Sequence, residues 1–357
     1  MKSVFFRYIS GIYLKSFFII FFALVFFFVG VDLLINFKDL PNSANIILLC
    51  ALFMVCMATN YVLPLSLVFA LILSMISMVR SNELVSFYAL GLSKRLVIWY
   101  PFLWALFFCA VFVGLNFTPF AYAEDYRDSI IIDNAPLSRQ SKDIFLKYDD
   151  KFIYIAKLES LEDKVDNMKI FDLNGSKLAE LSDVKSAVFK RNAWLLEEGE
   201  KVLVPENLQL FGEGLKVEQI QNVEALSGFK PRIIESVANK SHYSIADALQ
   251  SLFAFSKQGV NTTLMRTELY KLVFMPFFAP FLLLILYHFF PTISRFFNLA
   301  FISFVFFLCT LGVWGLLYLF TKFAQNGFLS PEISIIMPIC LLIATSLFLF
   351  YKKRKFY

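Results

Sequence analysis

The chain has 357 residues, of which 59% are hydrophobic and 18% aromatic, including 45 Phe. A soluble globule of that length could not hide so much apolar surface, so a purely soluble fold is excluded. Charge is equally uneven: 23 of the 28 acidic residues fall between Glu124 and Asp247, a stretch of net charge −6, while the rest of the chain carries +11.

A bilayer crossing needs about 20 mostly apolar residues. The first such block is 16–36, preceded by Lys2, Arg7 and Lys15. No small-residue cleavage site follows it, so it is expected to be a retained span and not a cleaved signal. Asp32 lies in its outer half, where an acid is costly unless it faces protein or water. Residues 46–79 contain no charge, about 51 Å if helical against a hydrocarbon core of about 30 Å. The expectation is one long helix, or an interfacial stretch at 46–58 leading into a span at 61–79, with Asn60, Tyr61 and Pro64 marking a bend or entry point.

The segment Arg80–Arg95 opens like a short helix, with Ser81 or Asn82 as cap and Glu83 at its positive end. Leu84, Val85, Phe87, Tyr88 and Leu90 make it largely apolar, and Gly91 ends it. Such a helix either inserts into a groove on a soluble partner or lies on the membrane surface. A third span is expected at 97–118.

After Pro119 the chain turns polar and alternates at strand period. Phe145-Leu-Lys-Tyr and Lys151-Phe-Ile-Tyr-Ile-Ala flank Asp149-Asp150, and Met168-Lys-Ile-Phe-Asp-Leu runs into Asn174-Gly175, the strongest short hairpin signal. Ser186–Lys190 and Ala193–Leu196 flank Arg191-Asn192, and Leu208–Phe211 and Leu215–Glu218 flank Gly212 and Gly214. Short strands at roughly ten-residue intervals predict an antiparallel sandwich or roll. Residues 243–257 switch to helical spacing, with Ser244 as N-cap and Asp247 at the third helical position. Spans follow at 272–290, 297–320 and 332–351.

Basic residues in short loops mark the cytoplasmic side. With six spans, the groups around Arg7, around Arg80 and Arg95, at Arg295, and at Lys352–Lys355 all fall on one side. Both termini are then cytoplasmic, residues 119–264 lie outside, and Glu83 is the sole cytoplasmic acid. The five cysteines all sit in apolar blocks, so no disulfide framework is implied. His242 and His288 have no ligand cluster, and no phosphate-binding Gly-rich loop, zinc spacing or nucleophile elbow is present. No catalytic and no metal-binding residues are assigned. Short glycosylation-type triplets at Asn116, Asn239 and Asn261 carry little weight.

The block Pro64-Leu-Ser-Leu with Ser81-Asn-Glu-Leu-Val-Ser-Phe-Tyr-Ala-Leu-Gly-Leu-Ser resembles the hallmark of the lipopolysaccharide-export permeases, the LptF/LptG family. The resemblance extends over the whole chain, with Phe152-Ile-Tyr-Ile and Arg266-Thr-Glu-Leu-Tyr-Lys before Pro276 also fitting. Trp194-Leu-Leu and Ser244-Ile-Ala-Asp-Ala-Leu look more like the LptG branch than the LptF branch. It implies a membrane α-helical bundle of six spans in a 3+3 arrangement with an inserted periplasmic β-jellyroll-like domain. Residues 1–118 would form spans one to three with a coupling helix at about 82–92, residues 119–264 the inserted domain, and residues 265–357 spans four to six and a basic tail.

The same resemblance implies a function. The chain would be a permease of the inner membrane of a Gram-negative bacterium, paired with an LptF-like paralogue above an LptB-like ATPase dimer. It would pass lipopolysaccharide to an LptC-like single-span protein and a periplasmic bridge. It would bind no cofactor and no nucleic acid itself, the ATP being held by the partner. Glu83, Leu84, Phe87, Tyr88 and Gly91 would couple to the ATPase. Because lipopolysaccharide is anionic, Lys38, Arg266, Lys271 and Lys322 at the outer rim, with Asp32, are candidate substrate contacts. The bland alternatives are interfacial snorkelling for Lys38 and Lys322, and a local charge network for Arg266, Glu268 and Lys271. The family's basic cluster at the end of span one is reduced here to Lys38. Competing classes are an envelope-lipid-modifying enzyme, which would need an acid–base or metal cluster in the outer domain, and a scaffold subunit that moves no lipid.

Overall fold

A computed structural model of the chain describes residues 2–40, 43–132, 140–148, 151–159, 163–174, 177–205, 214–231, 234, 244–256, 262–292 and 298–351. Arg295, the tail Lys352–Lys355, the expected strand Leu208–Phe211 and the turn residues Asp149, Asp150 and Gly175 lie outside the described residues. The chain divides into two compact units, Met1–Ala123 with Thr263–Tyr357, and Glu124–Thr262.

Among the described residues the first unit contains six helices long and apolar enough to cross a membrane: Val4–Ile35, Ala44–Arg80, Lys94–Leu115, Thr263–Phe289, Leu299–Gln325 and Glu332–Tyr351. They are called spans one to six below. Span one begins well before the expected residue 16, as its helix runs from Lys2. The basic residues that precede the apolar block are good helix formers and prolong it. Of the two expectations for residues 46–79, the single long helix is the one found, at 37 residues, about 55 Å. Pro64 sits inside it without ending it.

Span two is the hub of the unit. Its most apolar window is 78% buried, against 11% in span one and 17% in span five, so spans one and five turn most of their apolar surface outward. Span two packs against spans one, three, four and five. Leu67, Leu71, Met75 and Met78 along it are almost completely buried, as are Tyr13 of span one and Phe278 of span four. The Tyr13 hydroxyl donates to the Leu67 carbonyl at 3.1 Å, giving a polar atom at membrane depth the partner it needs. The two three-helix groups of the sequence therefore share one core.

The second unit holds β1 (Gln140–Tyr148), β2 (Lys151–Glu159), β3 (Lys164–Asn174), β4 (Lys177–Lys190), β5 (Ala193–Leu203) and β6 (Lys216–Ala225). They form one antiparallel sheet in the order β1-β2-β3-β4-β5-β6. The expected hairpins appear in register, with Tyr148 opposite Lys151, Asn174 opposite Lys177 and Lys190 opposite Ala193. At the last of these, Arg191 (φ 51°) and Asn192 (φ 69°) both take the left-handed backbone that a two-residue hairpin turn with matching twist requires. This is the expected antiparallel β domain, inserted between the helices. Each strand pairs with its sequence neighbour, and no long crossover appears among the described residues. Register shifts at Val184/Ser186 and Ser186/Ala187 put bulges in β4, and bulges bend a strand locally.

Alternation sets the buried face. Ile153, Ile155, Val165, Met168, Val184 and Ala187 are all completely buried. Trp194 is fully buried and its indole N–H donates to the Phe229 carbonyl at 2.6 Å. The helix Ile245–Ser256 starts as expected, with the Asp247 N–H donating to Ser244 Oγ at 3.1 Å.

Candidate functional site

The link between spans two and three forms a seven-residue helix, Glu83–Ala89. Asn82 takes the N-cap position but has a left-handed backbone (φ 56°) and makes no side-chain cap bond. The capping expectation fails because a two-residue corner between helices forces positive φ, which Asn tolerates best among residues with side chains. The far end behaves as expected. Gly91 (φ 84°) lets Leu92 N–H reach the Phe87 carbonyl and Gly91 N–H reach the Tyr88 carbonyl, each at 3.0 Å, the paired-bond ending typical of glycine-terminated helices.

The five residues expected to couple to a partner divide between two faces. Leu84 and Phe87 point inward, at 2% and 8% exposure. The Phe87 ring lies edge-on to Phe5 at 5.7 Å and to Tyr8 at 5.9 Å, both from span one. Tyr88 is half-buried, and its hydroxyl lies 3.0 Å from that of Tyr287 in span four. Tyr287 in turn donates to the Lys94 carbonyl at 3.0 Å, so Tyr88 is the donor to Tyr287. Burial pushes the Tyr88 phenol up. The outward surface consists of Val85, Ser86, Ala89, Leu90 and Gly91. Glu83 is partly buried and faces the Tyr8 hydroxyl. Its Oε2 atom is enclosed without a hydrogen-bond partner among the described residues.

The candidate substrate contacts lie at the opposite end of the bundle. Arg266 at the head of span four pairs with Glu332 at the head of span six, 2.8 Å apart, and the Tyr270 hydroxyl lies 3.4 Å from the same carboxylate. Lys271 and Glu268 form the expected i,i+3 pair at 3.1 Å, and Gln325 at the end of span five also donates to Glu268. Arg266 and Lys271 thus belong to a network joining spans four, five and six. Glu332 opens a π-helical turn, Glu332–Ile336, a feature frequent at functional sites. Lys322 is exposed, with its ammonium 5.5 Å from the Tyr318 ring centre. Asp32 is half-buried at the end of span one and accepts from Asn36 Nδ2 at 3.4 Å, while Lys38 is exposed in the turn beyond.

Sequence reasoning missed Tyr8 and Tyr287 as anchors of the short helix, and Glu332 and Gln325 in the network joining spans four, five and six. Glu332 alone left a signal, as an acid at the head of an apolar block.

This architecture is that of a multi-pass membrane protein with one soluble insertion and a short, partly exposed inter-span helix. No curated protein matches the chain significantly. The sequence profile of the family described as lipopolysaccharide export system permease LptF/LptG matches residues 7–352, nearly its full length. The chain belongs to that family, whose members are transport permeases and not enzymes.

Proposed function

We propose that the chain is one of two permease subunits of an ATP-driven complex that extracts lipopolysaccharide from the inner membrane and hands it to a periplasmic bridge. The observation that carries this reading is the two-faced helix Glu83–Ala89. Its inward residues are anchored on spans one and four, while Val85 and Leu90 stay exposed. A helix held from behind and apolar in front suits insertion into a partner's groove, here an LptB-like ATPase. Force on it reaches spans one, three and four through Phe87, Lys94 and Tyr287. Basic loops favour cytoplasmic termini and a periplasmic sheet. Within the family, Trp194-Leu-Leu and the Ser244-capped helix favour the LptG branch, with an LptF-like partner and an LptC-like neighbour. Lys38 and Lys322 are accessible to an anionic lipid at the outer rim, whereas Arg266 and Lys271 are already engaged with carboxylates.

The test is Glu83→Ala as the cell's sole copy. Lipopolysaccharide delivery to the surface should collapse while the amount of chain in the membrane stays unchanged. Normal delivery would refute the coupling role.

A further inference from the structure

Behind the short helix lies a partly open cavity of about 640 Å³, lined by that helix, the start of span three and the ends of spans four and six. Its floor is apolar, including Leu84, Leu284 and Leu349. Its charged lining is of one sign: Lys94 and Arg95 contribute to the wall, and no acidic residue does so among the described residues. The Lys94 ammonium lies 5.6 Å from the Tyr88 ring centre. The Arg95 guanidinium lies 5.6 Å from the Phe350 ring centre and, among the described residues, gives one hydrogen bond, at 3.0 Å, to the Tyr351 carbonyl. A guanidinium has five N–H donors, and this geometry leaves others for a planar or tetrahedral anion.

We infer that this cavity binds one acidic phospholipid, its phosphate held by Lys94 and Arg95 and the start of an acyl chain laid along Leu284 and Leu349. The charge is complementary to an anion, and the apolar floor to a hydrocarbon, which a free phosphate lacks. The chain's own continuation, Lys352-Lys-Arg-Lys355, has the same sign as the wall and is no complement to it. Basic pockets between helices at the cytoplasmic face are suited to anionic headgroups, and this is the end that the basic loops assign to the cytoplasm. Because Leu84 and Tyr88 form part of the wall, an occupied cavity braces the inner face of the short helix, so inner-leaflet lipid would tune the transmission of force.

The full chain, purified in detergent and stripped of lipid, is titrated with phosphatidylglycerol or phosphatidylcholine and the adducts counted by native mass spectrometry. One phosphatidylglycerol should bind at concentrations well below those needed for phosphatidylcholine. Two basic residues near an anionic headgroup predict about a thirtyfold loss of that affinity in Lys94→Gln/Arg95→Gln. Leu284→Trp, which fills the floor and keeps the charges, should also lose it. Should the charge variant fail to fold, the wild-type preference and Leu284→Trp decide alone. Equal binding of the two lipids, undiminished binding in either folded variant, or displacement by inorganic phosphate overturns the inference. Displacement by equimolar lipopolysaccharide would assign the cavity to substrate and overturn it too.

Discussion

The two faces of the helix Glu83–Ala89 should separate under mutation. Leu84 is 2% exposed and packs into the core of the bundle, whereas Leu90 is 63% exposed. Truncating a buried Leu to Ala costs roughly 2–5 kcal/mol. A short peripheral helix can relax around the gap, which places Leu84→Ala near the lower end, at about 2–3 kcal/mol. That loss falls on docking of the helix, not on the whole bundle, so amide exchange over residues 83–92 should speed up roughly 30- to 150-fold. Leu90→Ser alters an exposed position and should change stability by less than about 0.5 kcal/mol. Exchange would then stay near wild type while lipopolysaccharide delivery falls. Hydrogen–deuterium exchange on both variants, beside a cellular delivery assay, reads the two effects independently. Unchanged exchange in Leu84→Ala would refute the anchoring geometry, and normal delivery by both Leu90→Ser and Val85→Ser would refute the contact face.

Tyr287→Phe should destabilise more than Tyr88→Phe. The first removes both the acceptor of Tyr88 and the donor to the Lys94 carbonyl, about twice the 0.5–1.5 kcal/mol of a single hydrogen bond, and thermal melting in detergent would rank them. Gly199→Ala should cost the β sheet about 1–3 kcal/mol, because an added Cβ would meet the Asp183 carbonyl oxygen at 2.5 Å; unaltered exchange of the β4–β5 amides would contradict this. Burial pushes the Asp247 carboxyl above its ordinary value of 3.8. With the folded value the higher one, its contribution is fully present below about 3.8 and is lost as pH rises through the folded value. Asp247→Asn should therefore be at least as stable as the parent at neutral pH, with the difference fading in acid; a melting-temperature series against pH checks the sign.

Six membrane crossings were legible because the bilayer demands uninterrupted apolar length, and that demand is met locally, within each block. The strands were legible for a similar reason: alternation at Ile153 and Ile155, and a turn at Arg191-Asn192, are settled by near neighbours. Span boundaries drifted where basic residues such as Lys2 and Arg7 let a helix continue beyond its apolar block. The hub role of span two was not legible, since Phe- and Leu-rich faces look alike whether lipid or protein covers them. The sheet's full strand order was not legible either, as alternation marks a strand without naming its neighbours. Most of the site was a matter of tertiary structure. Spacing alone marked the Glu83–Ala89 segment as a helix with an apolar surface. That Leu84 and Phe87 are its anchors while Val85 and Leu90 are its front was decided by Phe5, Tyr8 and Tyr287. The network joining spans four, five and six likewise needed Arg266 to meet Glu332, 66 residues away. Local chemistry determines what each segment becomes; which of its faces is left to act depends on partners far away in the chain.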